Sequence, residues 1–164
     1  MEIKVKYPTH ENFKKFGTLI VPPFKISPAV SSEIFNYYHN IGDISSLGDE
    51  GCIGYLEIKR DFNREFILEK MERHINTLEA FIPIYGVGVM CLAPATPNTS
   101  LTDLNSIEAF FIDGTATFIL NEGTWHFLPY PITPELRFIL LLKKSTVERD
   151  IEIIELSKKI KISI

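Results

Sequence analysis

The chain has 164 residues, 45% of them hydrophobic, and its 17 basic and 21 acidic residues leave a net charge of −4. That length suits one domain, residues 1–164, with a sizeable core. The acidic balance argues against a nucleic-acid partner, and no apolar run is long enough to span a membrane.

The opening Met1-Glu2-Ile3-Lys4-Val5-Lys6 alternates and carries an acid, unlike a signal peptide, so a cytoplasmic location is expected. Cys52 and Cys91 lack CxxC spacing and are expected as free buried thiols.

In chain order, residues 2–7 read as a strand. Thr9 is placed to cap a short helix that buries Phe13 and Phe16. Residues 18–21 form a second strand, ended by Pro22-Pro23. Residues 31–38 fit either a short helix or an extended segment. Gly42 to Gly51 is a polar loop, and 52–59 is a strand rich in β-branched and aromatic residues. Residues 60–65 are a charged loop, and 66–72 lead on as a strand. Residues 80–84 and 86–92 are continuous apolar runs, expected of strands packed on both faces.

Pro94 to Asp103 is a loop. Residues 107–112, an Asp113-Gly114 turn and residues 115–120 read as the clearest hairpin. Pro129, Pro131 and Pro134 forbid regular pairing after His126. Residues 136–142 are a strongly apolar strand, and 150–156 and 159–164 two more. About ten short strands with little helix predict an all-β sandwich or barrel.

The chemistry gathers at Glu72-Arg73-His74. In a strand, Glu72 and His74 look to one face while Arg73 looks to the other. Asn76-Thr77 can turn the chain, and Glu79 can return on the neighbouring strand to face the same point. A second group, Asn121-Glu122-Gly123-Thr124-Trp125-His126, follows further on. Glu72, His74, Glu79 and His126 together offer nitrogen and oxygen donors for a divalent ion such as Ni, Zn, Fe or Mn. Without such convergence, each histidine would be an ordinary pocket or core residue.

The spacing Glu-x-His, Glu, Gly, followed by Gly-x-x-His, resembles the two motifs of the cupins, small jelly-roll β-barrels. Further landmarks are Glu11 to Ile20, Tyr38-His39-Asn40, and Ala80-Phe81-Ile82-Pro83 after Glu72-Arg73-His74, then Gly123-Thr124-Trp125-His126. In that order, over roughly residues 9–144, they resemble the ureidoglycolate lyase family. The resemblance implies a cupin-like β-barrel with one or two short helices and a homodimer. It also implies a divalent metal, nickel in the enterobacterial type, and cleavage of (S)-ureidoglycolate to glyoxylate and urea in allantoin breakdown. The chain departs from the family pattern at Phe127, Tyr37, Glu79 and Leu142-Lys143.

Glu79 is the candidate general base where it is not a ligand, and His126 or His39 the candidate acid. Lys59, Arg60, Arg64 and Arg73 are the candidate partners for a substrate carboxylate, although Arg73 should point away from the pocket and loop arginines such as Arg60 and Arg64 are more often solvated. Trp125 either stacks on a ureido group or anchors its hairpin to the core. Asn121 either contacts substrate or shapes its turn. The alternatives to a lyase acting on a small hydroxy acid are another metal-dependent cupin enzyme, of isomerase or dioxygenase type, and a non-enzymatic small-ligand module.

Overall fold

The computed structural model describes residues 1–164. The elements are β1 (Glu2–Lys6), α1 (His10–Phe13), β2 (Gly17–Ile20), β3 (Val30–Ser31), β4 (Asn36–Tyr37), β5 (Gly51–Lys59), β6 (Ile67–Arg73), β7 (Glu79–Tyr85) and β8 (Gly88–Ala93). They continue with β9 (Glu108–Ile112), β10 (Thr117–Leu120), β11 (Trp125–His126), β12 (Tyr130–Pro131), β13 (Glu135–Lys143), α2 (Thr146–Arg149) and β14 (Glu152–Ser163). The all-β expectation holds, with two short helices. Neither helix is long and apolar enough to cross a membrane.

Six strands close into a ring in the order β11-β6-β14-β1-β9-β8, because two-residue β11 pairs with both β6 and β8. A five-stranded sheet, β2-β10-β7-β13-β5, packs beside the ring. One apolar cluster fills the ring interior around Leu68, Met71, Cys91, Trp125 and Ile160. A second lies between ring and sheet around Phe13, Phe16, Phe81, Phe118 and Phe138. Strand β8 serves both clusters. Val89 and Cys91 belong to the first, Met90 and Leu92 to the second, and all six of its residues are buried. Burial on both faces is why its sequence is continuously apolar rather than alternating.

Thr9 caps α1 as expected. Its hydroxyl accepts from the Asn12 amide at 3.2 Å, and Asn12 Oδ1 accepts from the Thr9 amide at 2.8 Å. Residues 31–38 hold no helix: β3 and β4 pair as a small hairpin that turns through Ser32 and Phe35. The two strands expected over 150–156 and 159–164 are one, β14, with a register shift between Glu155 and Ile160.

The expected hairpin at Asp113-Gly114 is an arch. Strand β9 pairs with β1 and β8 in the ring, whereas β10 pairs with β2 and β7 in the sheet. The turn chemistry is as read: Asp113 Oδ1 accepts from the Thr115 amide at 3.0 Å, and Gly114 has φ +85°. What differs is the docking. Phe110 and Ile112 of β9 meet Phe118 and Leu120 of β10 across the gap between layers, within one core cluster. Burying those aromatic faces against each other outweighs pairing the edges.

The chain crosses between ring and sheet again from β6 to β7 and from β7 to β8. At the second crossing Gly86 has φ +86°, and a Cβ there would lie 2.1 Å from the Glu135 carbonyl oxygen. Only glycine fits that turn. Glu79 therefore returns toward Glu72 and His74 from the opposite layer, not from a neighbouring strand.

Candidate metal centre

The site lies between ring and sheet. Glu72 and His74 stand at the end of β6, Glu79 opens β7 in the facing sheet, and His126 ends β11, which pairs with β6 at Glu72. The amide of Gly123 donates to the His74 carbonyl at 2.6 Å, so the two motif stretches are joined through their backbones. His74, Glu79 and His126 are all buried.

Glu79 Oε2 is 3.1 Å from His126 Nε2 and 3.4 Å from His74 Nε2. One donor atom from each of the three residues lies within 4.8 Å of the others. The opposite ring nitrogens are committed. His74 Nδ1 donates to the Asp150 carbonyl at 2.5 Å, and His126 Nδ1 to the Thr124 carbonyl at 3.0 Å.

A carbonyl oxygen can only accept, so each Nδ1 carries a proton and each neutral ring turns a bare Nε2 lone pair inward. Two imidazole lone pairs and a carboxylate oxygen then converge with no donor among them. His126 Nε2 and Glu79 Oε2 have no hydrogen-bond partner. Such orphaned buried atoms are costly unless a cation or extra protons fill the gap. A divalent ion fits: the donor set is two imidazoles and one carboxylate, the outer nitrogens are held by carbonyls, and one side opens on a hollow.

Protons are the alternative filling. Burial pushes the His74 imidazole down, but the hydrogen bond and charge of Glu79 outweigh it, and the net direction is up. Burial likewise pushes Glu79 up, and the two facing imidazoles overcome it, holding its carboxyl at about 2. Glu79 therefore stays ionised near neutrality, the charge state a divalent ion would need from a carboxylate ligand.

The hollow is about 170 Å³ and is walled by Leu56, Phe81, Phe127, Leu128, Leu140 and Leu142, with Glu72, His74, Glu79 and His126 as polar groups. Glu72 stands apart from the compact trio. Its Oε1 is 3.8 Å from His126 Nε2, and its side chain is 21% exposed.

Four other candidates fall elsewhere. Trp125 is fully buried in the ring interior, with Nε1 donating to Thr96 Oγ1 at 2.9 Å and the Arg73 guanidinium over its ring. It anchors β11 and stacks on no substrate in the hollow. Neighbours on a strand face opposite ways, so a pocket-facing His126 requires a core-facing Trp125. Asn121 shapes its turn: its amide donates to the Phe16 carbonyl at 2.9 Å, and it lines a different cavity. His39 is exposed beside the β3–β4 hairpin, bonded to the Tyr37 hydroxyl at 3.1 Å. Arg60 lies outside the hollow, over the Phe66 ring.

Arg73 points away from the hollow and pairs with Glu152 at 2.7 Å, as the strand period requires. Sequence reasoning missed Asp150. Its buried carboxylate accepts from the amides of Ile75 and Asn76 at 2.9 and 2.8 Å and from Asn76 Nδ2 at 3.0 Å. The same residue's carbonyl orients His74. The available signal was an acid just before a strand, with no basic neighbour other than Arg149.

A sequence profile described as ureidoglycolate lyase matches residues 1–163. The ureidoglycolate lyase of Escherichia coli (strain SMS-3-5 / SECEC) is 23% identical over 129 residues, covering 77% of this chain and 78% of that protein. Among solved structures, the capsular polysaccharide assembling protein CapF from Staphylococcus aureus is similar with a TM-score of 0.48 and 15% identity. That match covers 66% of this chain but only 28% of CapF. Rru_A2000 from Rhodospirillum rubrum, a cupin-2 domain, matches over 88% of this chain and 77% of its own, with a TM-score of 0.40 and 13% identity. With the family profile spanning residues 1–163, the chain belongs to the ureidoglycolate lyase family.

Proposed function

We propose that the chain is a cytoplasmic, homodimeric carbon–nitrogen lyase that splits (S)-ureidoglycolate into glyoxylate and urea in allantoin breakdown. The observation that carries this reading is the buried convergence of His74, Glu79 and His126 on one apolar hollow, in a chain of this family. At about 170 Å³ the hollow has the volume of roughly five or six waters, the scale of a small hydroxy acid.

His74, Glu79 and His126 would hold the divalent ion, and nickel, zinc, iron and manganese all accept such donors. When bound, the ion supplies the positive charge that draws the substrate's carboxylate and hydroxyl oxygens and lowers the hydroxyl pKa. No lysine or arginine lines the hollow, so the protein offers no other cation there to a carboxylate substrate.

The leucine and phenylalanine walls exclude water, which this cleavage does not consume. Glu72, at the edge of the trio, takes the hydroxyl proton. The C–N bond breaks as the C=O forms, and the same carboxyl returns the proton to the departing urea nitrogen. The Asp150 and Thr124 carbonyls keep both imidazoles facing inward throughout.

The test is release of glyoxylate and urea from (S)-ureidoglycolate by purified protein loaded separately with Ni, Zn, Fe and Mn. Equal amounts of the two products, above the spontaneous rate and lost in His126→Ala, are expected. No release above the spontaneous rate with any of these ions would overturn the assignment.

A further inference from the structure

The largest cavity of the molecule, about 690 Å³, is not the metal hollow. It lies behind the hollow's wall, since Phe127, Leu128 and Pro129 line both spaces. Its volume falls within the range of small-molecule sites.

Three acids line this cavity, and each already has a basic partner. Asp61 pairs with Arg64 at 3.2 Å, Glu65 with Lys161 at 2.9 Å, and Glu69 with Lys159. Two lining cations, Lys59 and Arg60, have no acid within ion-pair distance. With those pairs made, Lys59 and Arg60 are the charges of the lining left without a partner.

Arg60 is held for the purpose. Its amide donates to the Pro134 carbonyl at 2.8 Å, and its guanidinium carbon sits 4.0 Å from the Phe66 ring centroid and 5.6 Å from that of Phe62. Stacking on an aromatic ring fixes the guanidinium while leaving its N–H edges free. None of those N–H groups has a partner in the protein. Phe66 and Tyr130 give the cavity an aromatic side, and the Tyr130 hydroxyl is spent on the Ile67 carbonyl at 2.9 Å.

We propose that this cavity is a second ligand site, for a small organic carboxylate with a planar apolar body. Arg60 grips the carboxylate, Lys59 adds charge at the rim, and the body lies against Phe66 and Tyr130. A fixed guanidinium beside an apolar floor matches that amphiphilic shape, and forked N–H donors match a carboxylate's two oxygens. The site is independent of the metal centre and of the lyase reading.

Benzoate is the probe, with benzamide as its neutral isostere. Full-length ¹⁵N-labelled protein is titrated with each, and amide resonances are followed. Saturable shifts with benzoate are expected, confined to residues 58–67 and 127–131. Arg60→Gln should weaken binding about tenfold, the loss of one charge-assisted contact. Lys59→Gln, at an exposed position that leaves the fold intact, should weaken it several-fold. Lys14→Gln, at an exposed position outside the cavity lining, should leave it unchanged. The proposal is overturned by equal binding of benzamide, by full affinity in both Arg60→Gln and Lys59→Gln, or by shifts centred on the metal hollow.

Discussion

The imidazoles of His74 and His126 lie 5.2 Å apart, centroid to centroid, and both aim Nε2 at the same oxygen of Glu79. They arrive from separate strands of the ring, and the carboxylate arrives from the facing sheet. Three donors brought together this way, with their outer nitrogens already bonded, form a site whose geometry exists before any ion enters. Removing one donor should then act on affinity rather than on folding. His74→Ala, Glu79→Gln and His126→Ala are each expected to reduce bound metal from about one ion per chain to near zero, while circular dichroism stays unchanged. Elemental analysis after gel filtration reads the first, and retention of stoichiometric metal in any of the three would remove that residue as a ligand.

The same trio makes a pH prediction for the metal-free protein. Glu79 is depressed from 4.5 to about 2, so its contribution to stability is full above 4.5 and fades as pH falls toward 2. His74 is raised above 6.5, so its contribution is full below 6.5 and is lost as pH rises through its folded value. From these two groups, the stability of chelator-treated protein should be highest between about 4.5 and 6.5. Glu79→Gln should flatten both arms, because Glu79 is also the group that raises His74. Added metal should restore the alkaline arm, since ligation needs deprotonated imidazoles. Thermal unfolding midpoints across pH measure all three effects.

What the sequence made legible here is local and periodic. The pairing of Glu72 with His74, and the opposite aim of Arg73, follow from a two-residue period. The return of Glu79 could be read from the Asn76-Thr77 turn, though not the layer it returns in. The same period applied to Trp125 and His126 would have put the tryptophan in the core. The arch at Asp113-Gly114 was not legible, because identical turn chemistry serves a hairpin and a layer crossing. Asp150 was not legible either. It acts through its own carbonyl and through backbone amides of residues 75 and 76, and main-chain partners leave no trace in side-chain spacing. His39, Asn121 and Arg60 are carried by turns and loops, whose paths depend on tertiary packing.

The proposed homodimer is expected to form through the five-stranded sheet. Strand β5 is its edge, nine residues long, and its outward-facing Ile53 and Tyr55 are 76% and 57% exposed. Across the ladder they oppose Leu141 and Ile139, which extends the apolar strip on the same face. A long apolar edge invites pairing with a second copy. Light scattering coupled to gel filtration is expected to give twice the chain mass for the wild type and the chain mass for Ile53→Lys. A monomeric wild type at tens of micromolar would rule the interface out.

Asp150 supports His74 in two separable ways. Its carboxylate closes the 75–76 turn through three hydrogen bonds, and its carbonyl fixes the imidazole. Asp150→Ala strands two part-buried amides, and a loss of about 3 kcal/mol is expected in urea unfolding. The carbonyl remains in that variant but is no longer held in place, so His74 should turn more freely. Metal affinity is then expected to fall about 10- to 100-fold, as for other partners that orient a ligand. Asp150→Asn keeps one acceptor oxygen and should recover part of the affinity. A purely structural residue would lower stability while leaving the affinity of the folded fraction unchanged. Isothermal titration below the unfolding transition separates these outcomes.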